Sequence, residues 1–273
     1  MDEIAKYNIE RWRALAEADA LFTRPALDMD AAAARERIDP EGVLGEVAGR
    51  RVLCLASGGG QQSAAFALLG ARVTVFDLSV EQLERDRLAA AHYGLEIETL
   101  QGDMRDLSRF DESLFDIVYH AHSLNFVPDA RAVFREVARV VRRGGLYFFN
   151  CANPFFLGLA PTDWNGEGYT LRQHYVDGGE LITEDSDWVY DRSRHEGARV
   201  PGGREFRHTL STLTNGLIEQ GFRILRLSDT LNLNPDPSAA PGTWEHFMSV
   251  APPWLAFWSS YDPADDARGD SQS

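Results

Sequence analysis

The stretch from Arg51 to Asp77 reads RVLCLASGGGQQSAAFALLGARVTVFD, and its order of residue types decides the fold. An apolar run, Val52 to Ala56, enters a glycine cluster at Gly58, Gly59 and Gly60. A helix-compatible segment follows from Gln61 to Leu69, and a second apolar run, Val73 to Phe76, ends on Asp77. Strand, glycine turn, helix, strand and acid is the order in which an α/β sheet holds a nucleoside-containing cofactor. Glycines here are expected to let the backbone approach the ligand with no Cβ in the way. An acid closing the second strand can accept both hydroxyl hydrogens of a ribose.

The same alternation continues outward. Upstream, Ile4, Tyr7, Ile9, Trp12, Leu15 and Ala16 recur at helical spacing within residues 2–21, and Pro25 closes that segment. A weaker helix is expected from Ala31 to Arg37. Downstream, Ser79 with Gln82 forms a capping-box pattern for a helix reaching about His92, which Gly94 ends. Leu95 to Leu100 reads as a third strand, with Gly102, Asp103 and Met104 at its exit, and Phe115 to Tyr119 as a fourth. Asp129 caps a helix to about Val141, Gly144-Gly145 marks its stop, and Leu146 to Asn150 is a fifth strand.

The pattern pauses over residues 152–205, which are rich in Pro, Gly, aromatic residues and acids. It resumes with a helix from about Glu205 to Gln220, a strand from Phe222 to Leu227, and a last strand within Pro253 to Ser259. Such alternation builds right-handed βαβ units on a mostly parallel sheet. The expected fold is α/β, a Rossmann-like three-layer αβα sandwich on a seven-stranded sheet. Its expected division is an N-terminal helical cap (1–45), a cofactor-binding core (46–151), a lid insertion (152–205), the end of the core (206–261) and a disordered acidic tail (262–273).

Composition restricts the function classes. The chain has 273 residues, 44% hydrophobic and 25% charged, as an ordinary globular protein does, and a formal net charge of −15. Lys6 is its only lysine, and no local basic stripe offsets the acidic balance, so neither nucleic acid nor an anionic membrane is an expected partner. Cys54 and Cys151 both fall in or beside expected buried strands, too few for a disulfide framework or a zinc site. No run reaches transmembrane length and the N-terminus lacks a signal-peptide layout, so the cytoplasm is the expected location.

Residues 50–150 resemble class I S-adenosylmethionine-dependent methyltransferases of the small-molecule type. The resemblance rests on VLCLASGGG, on VFDLS with Asp77, on QGDMRDL, on FDIVYHAHSLNFVPD and on REVARVVRRGGLYFF, five motifs in family order and near family spacing. Two positions depart from the family: Cys54 stands where an acid is usual, and Ala56 where glycine is usual. The resemblance implies S-adenosylmethionine as cofactor, with S-adenosylhomocysteine as product. Its cradle would comprise Ala56, Ser57, Gly58, Gly60, Gln61, Gln62, Asp77, Leu78, Gly102, Asp103 and Met104, with His120 and Trp12 at its borders.

Each of these residues also has a purely structural reading. Asp77 can be a turn or capping acid, and Asp103 an ordinary Gly-Asp turn. His120 and His122 lie just past the fourth strand, where such sheets open their cleft. If the extended conformation persists they share a face, and a neutral histidine there can take a proton from the acceptor. The alternative is a pair of packed histidines. Tyr7 and Trp12 either close the site, Tyr7 as a catalytic or substrate-binding residue, or form a core stripe of the first helix. In the insertion, Trp164, Tyr169, Tyr175, Trp188 and Tyr190 either contact substrate, with Asn125, or give the insertion a core of its own.

Methyl transfer from a sulfonium is an in-line displacement that needs alignment and exclusion of water, and a base only if the nucleophile is protonated. YHAHSLN offers no hard-oxygen cluster for magnesium, so no metal is expected. Aromatic density in the insertion points to a small aromatic or heteroaromatic acceptor. An NAD-dependent dehydrogenase is a rival, but its fingerprint needs glycine where Ser63 stands, and often a downstream Tyr–Lys pair that this chain lacks. A non-catalytic cofactor-binding module is the other alternative.

Overall fold

Seven strands form one sheet in the order β3-β2-β1-β4-β5-β9-β8 in the computed structural model, which describes residues 2–183 and 200–264. The strands are β1 (Arg51–Leu55), β2 (Arg72–Asp77), β3 (Ile97–Gln101), β4 (Phe115–His120), β5 (Val141–Ala152), β8 (Phe222–Ser228) and β9 (Trp254–Tyr261). β1 to β5 are parallel, and β9 runs antiparallel between β5 and β8. The parallel register brings Leu55, Asp77 and His120 to one edge of the sheet, on either side of the point where the strand order reverses.

Period-two alternation divides the core. Leu53, Leu55, Val118, Tyr147 and Phe149 lie on the face covered by α5 (Ala130–Val140) and α6 (Leu210–Glu219), through Phe134, Val137, Leu213 and Leu217. Val52, Cys54, Ile117, Tyr119, Phe148 and Trp258 lie on the other face, against α2 (Ala31–Ile38), α3 (Gln62–Leu68) and α4 (Val80–Tyr93). Cys54 and Cys151 are free buried thiols, and burial raises the pKa of both.

The sequence expectations hold for the sheet and shift at element ends. The third strand starts two residues later than expected, because Gly94 takes a left-handed φ of 65° and Leu95 N–H still bonds Ala90. Helix α6 starts at Leu210, capped by Thr209, because Gly203–Phe206 is a strand, β7, paired with β6 (Glu180–Thr183). The helix expected to stop at Gly144-Gly145 ends at Val140, and those glycines lie within β5. A short helix α7 (Trp244–Val250), missed in the sequence, precedes β9. The N-terminal helix is α1 (Glu3–Glu17). Trp188, Tyr190 and residues 265–273 of the expected tail lie outside the described residues.

Two residues at the sheet edge have unusual settings. Ala56, just past β1, has φ +45°, a left-handed conformation that glycine adopts without a Cβ penalty. His120 is 0% exposed, its Nδ1 is 3.0 Å from the Tyr147 hydroxyl, and Nε2 has no partner. Burial alone holds its imidazole down to about 3. The shared face expected for His120 and His122 does not form, because β4 ends at His120 and His122 turns to φ +50°.

Replacing Ala56 by glycine is expected to raise the denaturation midpoint, a gain of about 1 kcal/mol less the extra chain entropy of glycine. A lower midpoint would show that the left-handed turn is not strained. For His120, the unfolded chain binds a proton below about pH 6.5 that the native state refuses until about 3, so stability falls on acidification across that window. The slope attributable to it is about 1.4 kcal/mol per pH unit, and a His120→Leu variant is expected to show an acid limb shallower by that amount in urea titrations. Equal limbs contradict the assignment.

Candidate functional site

The cleft opens at the carboxyl edge of β1, β2 and β4. Asp77 closes β2 and is partly exposed there. Its Oδ2 accepts the Gly58 N–H at 2.9 Å and its Oδ1 the Ser79 N–H at 2.9 Å. Burial raises its pKa and those backbone donors lower it. A carboxylate presents about four acceptor positions, so two remain for further donors. These open acceptor positions fit a neutral diol such as a ribose and would repel a phosphate. The Gly102 N–H bonds the Asp77 carbonyl at 2.9 Å, which brings the β3 exit against the same residue.

The glycine loop is held from behind. Gly59 N–H and Gly60 N–H reach the two carboxylate oxygens of Asp86, on α4, at 3.1 and 3.0 Å, and the Ser63 hydroxyl bonds the same carboxylate. A Cβ on Gly58 would lie 2.7 Å from the Gln82 Cβ, and one on Gly60 2.5 Å from the Arg85 carbonyl oxygen. At Gly58 and Gly60 the absence of a Cβ is thus also required by the packing of helix α4. Asp86 escaped the sequence reading. Its signal was an acid in register with the buried face of α4, three residues after Leu83 and three before Ala89.

Ser57 joins the ends of β1 and β4. Its hydroxyl donates to the Leu55 carbonyl at 2.9 Å and accepts the Ala121 N–H at 3.0 Å. Gln61 donates to the carbonyls of Phe22 and Arg24, tying the loop to the segment after α1, and Gln62 opens α3. Leu78 follows Asp77 and its carbonyl accepts from the Gln101 side chain. Asp103 is committed to Arg105, whose guanidinium also grips Asp2, the N-cap of α1. That grip holds the Asp2 carboxyl down at about 2. Met104 packs on the core cluster below the loop.

His122 is exposed, while the protein around it disfavours its charge and lowers its pKa. Its backbone N–H donates to Asn150 Oδ1 at 2.9 Å, which turns the Asn150 amide nitrogen toward its ring Nε2. Nε2 then accepts, so the ring proton is on Nδ1. Trp254 meets the ring edge to face at 5.2 Å. The structure thus leaves His122 at the cleft, clamped and neutral, and removes His120 to the core.

The remaining candidates hold the walls together. The Tyr7 hydroxyl donates to the Gly202 carbonyl at 2.8 Å, and Trp12 meets Phe22 and Phe126 edge to face, each at 5.7 Å. Asn125 is buried, bonding the Phe206 carbonyl at 3.0 Å and the Ala152 N–H at 2.8 Å. Trp164 and Tyr169 pack on each other and on His246 of α7, which ties the insertion to that helix. Tyr175 stacks on Phe155 at 5.0 Å beside the buried Arg207.

The described residues contain no helix long and apolar enough to cross a membrane. A methyltransferase-domain family model matches residues 53–149. The uncharacterized methyltransferase YbaJ of Bacillus subtilis (strain 168) is 35% identical over 179 residues, which cover 64% of this chain and 67% of that protein. A ubiquinone biosynthesis O-methyltransferase of Xanthomonas euvesicatoria is 35% identical over 108 residues, and the match spans 45% of its length. Among solved structures, a putative S-adenosylmethionine-dependent methyltransferase of Listeria monocytogenes superposes with a TM-score of 0.59 at 18% identity, covering 85% of this chain and 100% of that one. One from Mesorhizobium loti does so with a TM-score of 0.56 at 24% identity, covering 86% and 100%. The fold, the cradle and these relatives agree: the chain belongs to the class I S-adenosylmethionine-dependent methyltransferases.

Proposed function

We propose that the acceptor is a small aromatic or heteroaromatic metabolite, and that His122 and the residues around it hold it in line with the transferred methyl group. The observation that carries this reading is the aromatic surround at the carboxyl edge of β4 and β5. There the His122 ring rests on Trp254, while Phe126, next to Asn125, rests on Trp12 of α1. Aromatic side chains at the edge of a cleft favour a flat, ring-bearing ligand. The net charge of −15 speaks against a nucleic-acid acceptor. The match to the Xanthomonas O-methyltransferase covers only 40% of this chain, so the acceptor is read from this chain's own cleft.

Bound S-adenosylmethionine supplies an electrophilic methyl group on a sulfonium, with its leaving group built in. In the proposed arrangement Asp77 takes the ribose hydroxyls on the acceptor positions that Gly58 and Ser79 leave open. Ala56, Ser57 and Gly58 border the rest of the cofactor, and Met104 lies on its adenine side. His122, neutral and protonated on Nδ1, offers a fixed donor to a polar group of the acceptor. With Nε2 engaged by Asn150, the residue orients more than it deprotonates. Tyr7 ties α1 to Gly202, and the described insertion residues 152–183 and 200–205 help keep water out in this reading.

Deuterated-methyl S-adenosylmethionine, offered with a panel of aromatic, heteroaromatic and aliphatic metabolites, tests the acceptor class by mass spectrometry. Label is expected in ring-bearing products; label confined to aliphatic acceptors, or absent throughout, contradicts the reading. Asp77→Ala is expected to weaken S-adenosylhomocysteine binding by about 1–3 kcal/mol in calorimetry, the cost of leaving hydroxyl donors unpaired. His122→Ala is expected to lower turnover about 10- to 100-fold, the scale of one lost hydrogen bond in the transition state, while that binding stays within twofold. Wild-type turnover in His122→Ala would remove it from the acceptor side.

A further inference from the structure

Helix α3 begins without a side-chain cap of its own, since its N-cap Gln61 makes no such bond. The amides just before it would be orphans in a buried place, as Gly59 and Gly60 are both buried. They are satisfied from another helix. Asp86, 0% exposed in the middle of α4, takes the Gly59 and Gly60 N–H groups on separate oxygens and the Ser63 hydroxyl as well. With Asp77 on the Gly58 N–H, three consecutive amides of the loop are each bound to a carboxylate. Strand β1 provides no acid for this purpose, because Cys54 is a fully buried thiol.

We propose that Asp86 is the positioning residue of the cofactor loop, supplying from α4 the carboxylate that β1 lacks at Cys54, and that its ionised form sets cofactor affinity. The three donors fix the reason. An ionised carboxylate accepts all three as charge-assisted hydrogen bonds, whereas a protonated one accepts them more weakly and turns its own hydrogen into the same group of donors. Weakening those bonds loosens the loop whose far side carries Ala56, Ser57 and Gly58, the residues that border the cofactor in this reading. Asp86 touches neither cofactor nor acceptor, so its effect passes through the backbone of residues 58–60.

The surroundings make this ionisation sensitive to pH. Burial pushes the Asp86 carboxyl up to about 7, against the hydrogen bonds from Ser63 and Gly59 that lower it. The titratable groups facing it are Asp77 from β2, whose charge raises it further, and Cys54 from β1. Helix α3 contributes only the neutral Ser63 hydroxyl. The carboxylate is thus the form that fades as pH falls through about 7, and cofactor affinity is expected to fall with it.

Calorimetric titration of the full chain with S-adenosylhomocysteine, between pH 6 and 8.5 in buffers of different ionisation enthalpy, tests this. Wild type is expected to bind more weakly as pH falls through about 7 and to release a proton on binding below that midpoint. Asp86→Asn is expected to bind about 10- to 100-fold more weakly at pH 8, from one or two lost hydrogen bonds, and to lose the pH dependence. Ser63→Ala, which deletes one donor and spares the carboxylate, is expected to move the midpoint upward. That shift decides the matter should Asp86→Asn fail to fold, since a residue that only supports the fold would leave the midpoint in place. A flat wild-type profile, or one that survives Asp86→Asn or stays put in Ser63→Ala, overturns the proposal.

Discussion

Three successive glycine amides must each find an acceptor inside a protein, and the rest of the site follows from how they do so. Gly58 bonds Asp77, and Gly59 and Gly60 bond Asp86. Asp77 closes β2 and also bonds the first residue of the turn into α4, while Asp86 lies within α4 itself. Strand β2, helix α4 and the loop after β1 are therefore one hydrogen-bonded unit. The glycines are needed because this unit is tight: Cβ atoms at Gly58 and Gly60 would collide with α4. The outward side of the loop, with Ala56 at a left-handed φ, is the side not packed on α4.

A second set of bonds closes the walls around that unit. Helix α1 reaches the residue before β7 through Tyr7 on Gly202, and reaches the β3 exit through Asp2 on Arg105. The Asn8 side chain donates to the Phe126 carbonyl at 3.1 Å, and the Arg85 guanidinium to the Ala16 carbonyl at 3.1 Å. Asn125 links the exit of β4 to both β7 and β5. Helix α1, β7 and the strand ends therefore share one polar collar, most of whose side chains, apart from the Asp2–Arg105 pair, bond backbone groups. Several residues that read as ligand contacts in the sequence are its fasteners. His122 differs, because its ring is accessible and its orientation is set by Asn150.

The strand–glycine–helix–strand order was legible because buried parallel strands are continuous apolar runs and Asp77 ends one of them. The existence of the remaining strands followed from the same alternation, but not the strand order or the insertion of β9 between β5 and β8. Long-range backbone pairing was not legible. Gly203–Phe206 carries two charged residues and looks like the lead-in to a helix, yet it pairs with β6. The left-handed turn at Ala56 was marked only by the glycine usual at that position in the family, and that at His122 by nothing stronger than the modest tolerance of histidine for positive φ. They moved His120 and His122 to different environments two residues apart. Asp86 was passed over because an acid in a helix reads as a solvated face unless its register with Leu83 and Ala89 is followed.

A crystal structure of the complex with S-adenosylhomocysteine tests the central claim most directly. The account predicts both ribose hydroxyls within hydrogen-bond distance of the Asp77 carboxylate, with the Gly59 and Gly60 amides still on Asp86. A ribose held elsewhere, or glycine amides turned from Asp86 to the ligand, would contradict it.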